Sequence, residues 1–524
     1  MEPDSTDVQA PRAHLFPPHA AVQARPPRDP EPAARFLGWS AAGGIGLAIL
    51  IMITVSAAGP SRAVVSAPAP AWGPPWWLPV HPSAQLVSVA LWTAAVTGGG
   101  GVMAGVAAVA RGARPPVRAL LAAAFIAAAI LAVLPPAGST DSLDYAAYGR
   151  MAALGHSPYV MTPLQLRRTG DPVGKASPRP WERQHSSYGP LATAQEWAAA
   201  ELGGVSALRI TFWLKLWNAL AFGAVAVALD RLLRSSPGRR ARAHLIWTAN
   251  PLLMWGLVAG GHIDGLAAAI GFFGLIAVSR GRRGRPGADT GPLRCLAAGV
   301  LVGTAADLKM TYILFGLAVI WAARRSRAAL LAAAAGGLAV LVPSYLWSGR
   351  PAVAALTAIR GLVTADNYYQ FFSRMFGYPV LPHLTLLAGL GFAIVAAALL
   401  RRIPAGPSSL PAVRPALALS LAWLLVWPYQ EAWYGAMALC LLALYPASRL
   451  DWPVLALQAV ASLINMPGMP GSMPAGWLTS IADGNEGLVG PVARLAALLV
   501  VVASAVFVPA AGSPPCAAKP RPFG

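Results

Sequence analysis

Apolar residues run through this chain in long blocks, and the polar residues between them collect in short connectors. A block of about 18 or more apolar residues is long enough to cross a hydrocarbon core of roughly 30 Å as a helix. The pattern predicts membrane helices near 37–58, 83–110, 119–135, 206–229, 245–259, 264–279, 295–306, 310–323, 328–347, 383–400, 414–428, 434–447, 453–466 and 489–510. Several are shorter than about 17 residues, so neighbouring pairs can be half-helices or re-entrant segments instead of full crossings. The expected fold class is an all-α polytopic membrane protein with roughly 12–14 transmembrane helices.

The connectors sort by charge. Arginines gather at 111–118, 231–242, 280–294, 324–327 and 401–414, in alternate connectors. Basic connectors belong on the cytoplasmic side, which also puts both termini there, in a multi-pass protein of the plasma membrane. The opposite connectors hold most of the acids, among them Asp141, Asp144, Asp171, Glu196, Asp264, Asp307, Asp366 and Glu431. The longest of these outer connectors cover 136–205 and 348–382, and loops beyond about 12–15 residues are usually functional or disordered. The first interleaves aromatic, acidic and basic residues, with helical pieces expected at 141–154 and 190–202, and it is expected to be ordered along the membrane surface. Residues 1–36, rich in Pro, Ala and Arg, read as a disordered cytoplasmic tail, 37–510 as the transmembrane domain, and 511–524 as a second cytoplasmic tail.

Composition excludes a soluble protein: 56% of residues are hydrophobic and 11% charged, against about 25% charged in ordinary soluble chains. A formal charge of +20 would suggest a nucleic-acid partner in a soluble protein. Here it reads as membrane topology, with the bilayer as partner and no nucleic acid. Cys295, Cys440 and Cys516 lie too far apart for a disulfide framework or zinc spacing.

Candidate chemistry concentrates in the outer connectors. Ser139 or Thr140 can cap a helix whose first turn holds Asp141 and Asp144. The helix dipole alone accounts for two acids there; a general base at the membrane surface is the functional alternative. Ser157-Pro158-Tyr159 and Ser186-Ser187-Tyr188-Gly189-Pro190 are turn chemistry that can aim loops over a cavity. In Gly260-Gly261-His262-Ile263-Asp264-Gly265, Asp264 can cap the following helix while His262 faces substrate. Lys309 can pair with Asp307, snorkel to the interface or hold a lipid phosphate. The aromatics of Trp427-Pro428-Tyr429-Gln430-Glu431-Ala432-Trp433-Tyr434 suit an interfacial belt or a platform for a sugar. Arg350, Arg360 and Arg374, outer arginines that oppose the charge bias, are further phosphate candidates.

Taken in order, these elements resemble the actinobacterial polyprenol-phosphomannose-dependent alpha-1,6-mannopyranosyltransferases, members of the multi-spanning C-type glycosyltransferase superfamily. The resemblance rests on Asp141 with Tyr145-Ala146-Ala147, on Ser157-Pro158-Tyr159 and on Tyr188-Gly189-Pro190. It continues through Asn250-Pro251-Leu252 with Gly261-His262-Ile263-Asp264, then Lys309, then Trp433-Tyr434. The chain departs from the family pattern at Leu143, Asp144 and Ile263.

The resemblance implies the multi-spanning C-type glycosyltransferase fold and a single inverting displacement on the outer face. A polyprenyl-phosphate sugar would be the donor and a glycan or glycolipid the acceptor. Asp141 would be the base, with Asp144 second; Lys309 would hold the phosphate, helped by Arg150 or Arg374. His262 and Asp264 would bind the sugar or orient the acceptor, and Trp433 and Tyr434 would stack on it. Tyr159, Tyr188 and Gln430 complete the implied substrate-binding set. No cofactor is required by this chemistry, though the acid cluster could hold Mg²⁺ or Ca²⁺. The competing classes are another polyprenyl-phosphate-sugar transferase, a secondary transporter and a lipid-binding scaffold. A transporter would place its binding residues near the bilayer midplane on broken helices.

Overall fold

The computed structural model describes residues 31–177, 181–278, 291–357, 361–377, 383–403, 409–466 and 477–507. The tail expected at 511–524, most of that at 1–36, the arginines at 280–285, Arg360 and Cys516 lie outside the described residues. Among the described residues the regular secondary structure is helical, apart from one antiparallel bridge between Val64 and Ala137.

Each predicted apolar block is helical, but the blocks are of two kinds. Among the described residues six helices are long and apolar enough to cross a membrane: Pro32–Ala57, Ala84–Ala110, Ala207–Leu232, Arg327–Ala355, Leu384–Arg402 and Trp477–Ala503. Val117–Val133, Met310–Ala323, Val413–Val426 and Ala432–Leu442 are apolar but shorter. The blocks expected at 245–259 and 264–279 form one sharply broken pair, Pro237–Ala259 and Asp264–Ala277, bent by 112°. A chain with this set of apolar helices is a polytopic membrane protein.

Close backbone approach fixes part of the packing. A Cβ at Gly299 would run into the Ala333 carbonyl, and one at Gly336 into the Leu296 carbonyl, so Pro292–Leu308 and Arg327–Ala355 meet through small residues. The latter helix breaks at Gly349, where φ is 75°, just past the predicted end of the membrane segment.

The long loop after Val133 is a packed layer with its own core. Leu143, Tyr145, Tyr148 and Met151 of Asp141–Ala153 bury against Leu166, Val173, Ala199 and Ala200, and against Leu208 and Ile210 at the start of the next span. The helices Asp141–Ala153 and Pro190–Gly203 fall where the sequence predicts them. The two spans that flank the layer are tied together by Lys215, a buried lysine of Ala207–Leu232. Its ammonium donates to the carbonyls of Leu131 (2.7 Å), Leu134 (2.5 Å) and Pro135 (3.1 Å), the free carbonyl end of Val117–Val133.

The second outer connector docks on the segment after Val426. Asn367 donates to the carbonyls of Trp427 and Pro428. Asp366 pairs with Arg494 of the last helix, which also donates to the Gln430 carbonyl (3.2 Å).

Candidate active site

The site is built on the break in Pro237–Ala259. Pro251 cannot donate to the helix ladder, and Asn250 replaces what is lost: its amide donates to Ile246 and its oxygen accepts from Leu252 N–H, each at 3.1 Å. The chain then winds through a π-helical turn, Met254–Ala259, into Gly260-Gly261. Gly261 has φ of 70°, a conformation open to glycine at little cost. Asn218 clamps the turn, donating to the Gly261 carbonyl (3.2 Å) and accepting from Leu266 N–H (3.0 Å). Ala137 N–H bonds to the Ala259 carbonyl at 3.0 Å, which joins this turn to the strand of chain leading into Asp141.

This scaffold brings together residues far apart in sequence. Lys309 donates to both oxygens of Asp264, at 2.9 and 2.7 Å, and its ammonium lies 3.7 Å from the centroid of the Tyr434 ring, a cation–π distance. His262 stacks on Trp433 with centroids 3.5 Å apart and planes 11° apart. Its Nδ1 is 3.5 Å from Asp141 Oδ2. The Tyr145 and Tyr188 hydroxyls are 3.0 Å apart, and Tyr145 acts on the Asp141 carboxylate electrostatically. Asp141, His262, Asp264, Lys309, Tyr188, Trp433 and Tyr434 thus form one cluster. One ring face of Trp433 is covered by His262 and one of Tyr434 by Lys309.

Two local expectations are corrected. Lys309 pairs with Asp264, not Asp307. Pro292–Leu308 ends one residue before it, and Lys309 takes an extended backbone (φ −149°, ψ 116°) that turns its side chain away from that helix. Asp307 instead accepts from Leu191 N–H at 2.7 Å, in the first turn of Pro190–Gly203, and from the Ser344 hydroxyl. Nor does Asp264 cap its helix: its carboxylate is taken by Lys309, and no side chain caps that end. Of the two hydroxyls offered as caps for Asp141–Ala153, Ser139 accepts from Asp141 N–H (3.1 Å), and Thr140 does not cap.

Other candidates lie outside the cluster. Asp144 is buried in the loop layer with neither carboxyl oxygen hydrogen-bonded. Arg150 pairs with Asp171 at 2.9 Å, tying Asp141–Ala153 to the helix that Asp171 caps. Arg374 is exposed on Tyr368–Phe376, where it faces Glu486. Tyr159 bonds to the Tyr188 carbonyl (3.1 Å) and Thr193 (3.0 Å), supporting the wall of the site. Gln430 is buried, with its amide on the Trp423 carbonyl (2.8 Å) and its Oε1 without a partner.

Sequence reasoning passed over Tyr145, Tyr429 and Glu431, which also interact with Asp141. All three sit within motifs read for other residues, and this position was the available signal. Lys215 and Asn218 carried no signal, since both look like stray polar residues in an apolar block.

Burial dominates the electrostatics of the outer acids. Asp141 is pushed up to about 6, chiefly by desolvation and against the Ser139 hydrogen bond and the Lys309 charge, while 23% of its side chain stays exposed. Asp144 is raised well above the usual carboxylate range by burial and then by Asp141. Glu431 is pushed up to about 8 by burial and by the Asp366 and Asp141 charges. At neutral pH Asp141 is therefore mostly ionised and more basic than an ordinary aspartate. Among the described residues no group of three His, Cys, Asp or Glu side chains is placed to hold a metal ion.

Comparison with known proteins bears on this cluster. A Mycolicibacterium smegmatis protein described as "Probable alpha-(1->6)-mannopyranosyltransferase" is 27% identical over 151 residues, 29% of this chain and 27% of the relative. The match thus spans about a quarter of that relative's length. No solved structure matches. The profile of the "Alpha-(1->6)-mannopyranosyltransferase, N-terminal domain" family matches residues 43–325, more than half of the chain, a span that includes Asp141, His262, Asp264 and Lys309. The chain belongs to the alpha-(1->6)-mannopyranosyltransferase family.

Proposed function

We propose that this protein is a membrane mannosyltransferase. It moves mannose from a polyprenyl-phosphate donor to a hydroxyl of a glycan or glycolipid, forming an alpha-1,6 linkage with inversion. The observation that carries the reading is one cluster that holds a partly exposed basic carboxylate, Asp141 beside His262, within the field of a buried ammonium, Lys309 paired with Asp264, at the ends of the helices remote from the arginine connectors.

Asp141 accepts the proton of the acceptor hydroxyl as its oxygen attacks the anomeric carbon. The bond from that carbon to the phosphate oxygen breaks, and polyprenyl phosphate leaves with the electron pair. Lys309 lies where an ammonium can offset the phosphate charge. Asp264 and the Tyr434 ring hold it in place, and the low-dielectric surroundings strengthen its field. Tyr188 belongs to the same cluster through Tyr145, and the half-buried rings of Trp433 and Tyr434 stand beside it for contact with a sugar. The arginine connectors support a cytoplasmic position for their end of the protein and an outer-face position for the site. No step is routed through a metal.

The test is transfer from radiolabelled polyprenyl-phosphomannose to a short alpha-mannoside in membranes containing the chain, wild type against Asp141→Asn. Transfer by the wild type that is lost in the variant at equal protein level supports the reading. An inert wild type, with other polyprenyl sugars inert as well, removes it.

A further inference from the structure

We propose that His262 is a positioning residue that acts through Asp141, donating its Nδ1–H to the carboxylate and holding it in the orientation that takes the acceptor's proton. This deepens the mannosyltransferase reading and rests on it.

The surroundings of the ring leave it little else to do. One face is covered by Trp433, stacked nearly parallel at 3.5 Å. The Nε2 edge packs on the backbone of Gly260, where an added Cβ would lie 3.0 Å from Nε2 and 2.9 Å from Cδ2. The residue is fully buried, and neither ring nitrogen has a hydrogen-bond partner. Leaving a buried donor unpaired is costly. Nδ1 points to Asp141 Oδ2 at 3.5 Å, slightly beyond hydrogen-bond length, and catalytic hydrogen bonds are often long before substrate closes the site. The Ala137–Ala259 bond couples the two segments, so the ring and the carboxylate are held to the same frame.

A buried imidazole without a hydrogen-bonded counter-ion stays neutral, so it offers one N–H and competes with no proton transfer. The acceptor's proton goes to Asp141, and His262 keeps its own. The charged and titratable groups around Asp141 are Lys309, Asp264 and Glu431 from the spans' ends, Tyr145, Asp144 and Tyr148 from its own helix, and Tyr188 and Tyr429 from the flanking loops. Donation to a carboxylate favours its charged form, so losing the donor raises the Asp141 pKa further and narrows the pH range in which the base is available.

The experiment compares His262→Ala, His262→Asn and His262→Gln in the full chain, with polyprenyl-phosphomannose and a short alpha-mannoside, and follows kcat and KM against pH. An asparagine amide falls near the position of Nδ1, whereas a glutamine amide reaches toward that of Nε2. The proposal expects His262→Ala to lower kcat roughly 10- to 100-fold, a part of the about 10²–10⁴ that a general base supplies. KM should stay within about twofold, and the acidic limb should move up by about one pH unit. His262→Asn should bring the limb back and recover most of the rate, and His262→Gln should not. A raised KM at unchanged kcat would make His262 a substrate-binding residue and overturn the proposal. So would an unmoved limb, or asparagine no better than glutamine. If His262→Ala folds poorly, the asparagine and glutamine variants compared at equal folded protein decide the matter. An active wild type with an unaffected His262→Ala sinks this inference alone, while an inert wild type sinks the mannosyltransferase reading and this inference together.

Discussion

Two clusters of charged residues at opposite ends of the helices are made from the same residue types and finished differently. At the arginine end, Arg242 is buried, with Nε and Nη2 on the two oxygens of Asp451 (2.9 and 2.5 Å) and Nη1 on the Leu442 and Tyr445 carbonyls (3.0 and 2.7 Å). His244 there uses both nitrogens, on Thr248 (2.9 Å) and Asp230 (3.0 Å), and Arg240 grips the same Asp230. At the other end His262 uses neither nitrogen, and Asp141 keeps a partly exposed side chain. A buried histidine in this protein can therefore be fully satisfied. The one beside Asp141 is not, and unsatisfied buried polar groups call for an explanation of this kind. The arginine end closes the carbonyl termini of helices; the other end is left with capacity for a ligand.

Mutations that separate stability from activity distinguish the roles of the two ends. The largest effect belongs to Asp141→Asn, expected to reduce transfer by about 10²–10⁴-fold at unchanged melting temperature in detergent. A variant that melts early instead would make Asp141 a structural residue like Asp451. Next comes Arg242→Met, which leaves the Asp451 charge buried and unpaired and should destabilise by about 3–5 kcal/mol. Activity per folded molecule should hold, and removing Asp451 as well, as leucine, should recover much of the loss. If Arg242→Met lowered kcat in a fully stable protein, the division of labour between the two ends would fail.

The pH profile gives a smaller but sharper effect. Asp141 has to be ionised to act, and its raised value of about 6 places the loss of activity where pH falls through 6, roughly tenfold per unit below that. A limb near the ordinary aspartate value would mean that the carboxylate is not the buried base inferred here. The smallest effect is that of Asn218→Ala, which frees the Gly261 carbonyl and Leu266 N–H. It should cost about 1–2 kcal/mol and lower kcat severalfold, because the turn carries both His262 and Asp264. Equal kcat with a lowered melting temperature would show that the turn matters only for stability.

Much of the site was legible as a set of motifs and little of it as a set of contacts. Asp141, His262, Asp264, Lys309, Trp433 and Tyr434 stand out because each is polar or aromatic at the edge of an apolar block, where such residues are costly without a reason. Their partners did not stand out. Asp307 is two residues from Lys309 and was the natural pair, yet the helix end between them sends the two side chains to different elements. Arg150 and Tyr159 share the loop with Asp141 and serve to hold the loop layer together. Glu431, beside two recognised aromatics, feels the Asp141 and Asp366 charges only once distant segments are packed around it.

What the amino-acid sequence determines by itself is the class of the molecule: helices in a bilayer, with arginines at one end and acids at the other. Both properties follow from summed transfer energies along each block, which do not depend on what lies beside it. The tertiary arrangement sets which acid stays partly exposed and which is buried, and which cation meets which carboxylate. Those outcomes depend on a broken helix, a left-handed glycine and a lysine capping a neighbouring span. Each brings together groups distant in the chain, and local pattern carries no information about such distances.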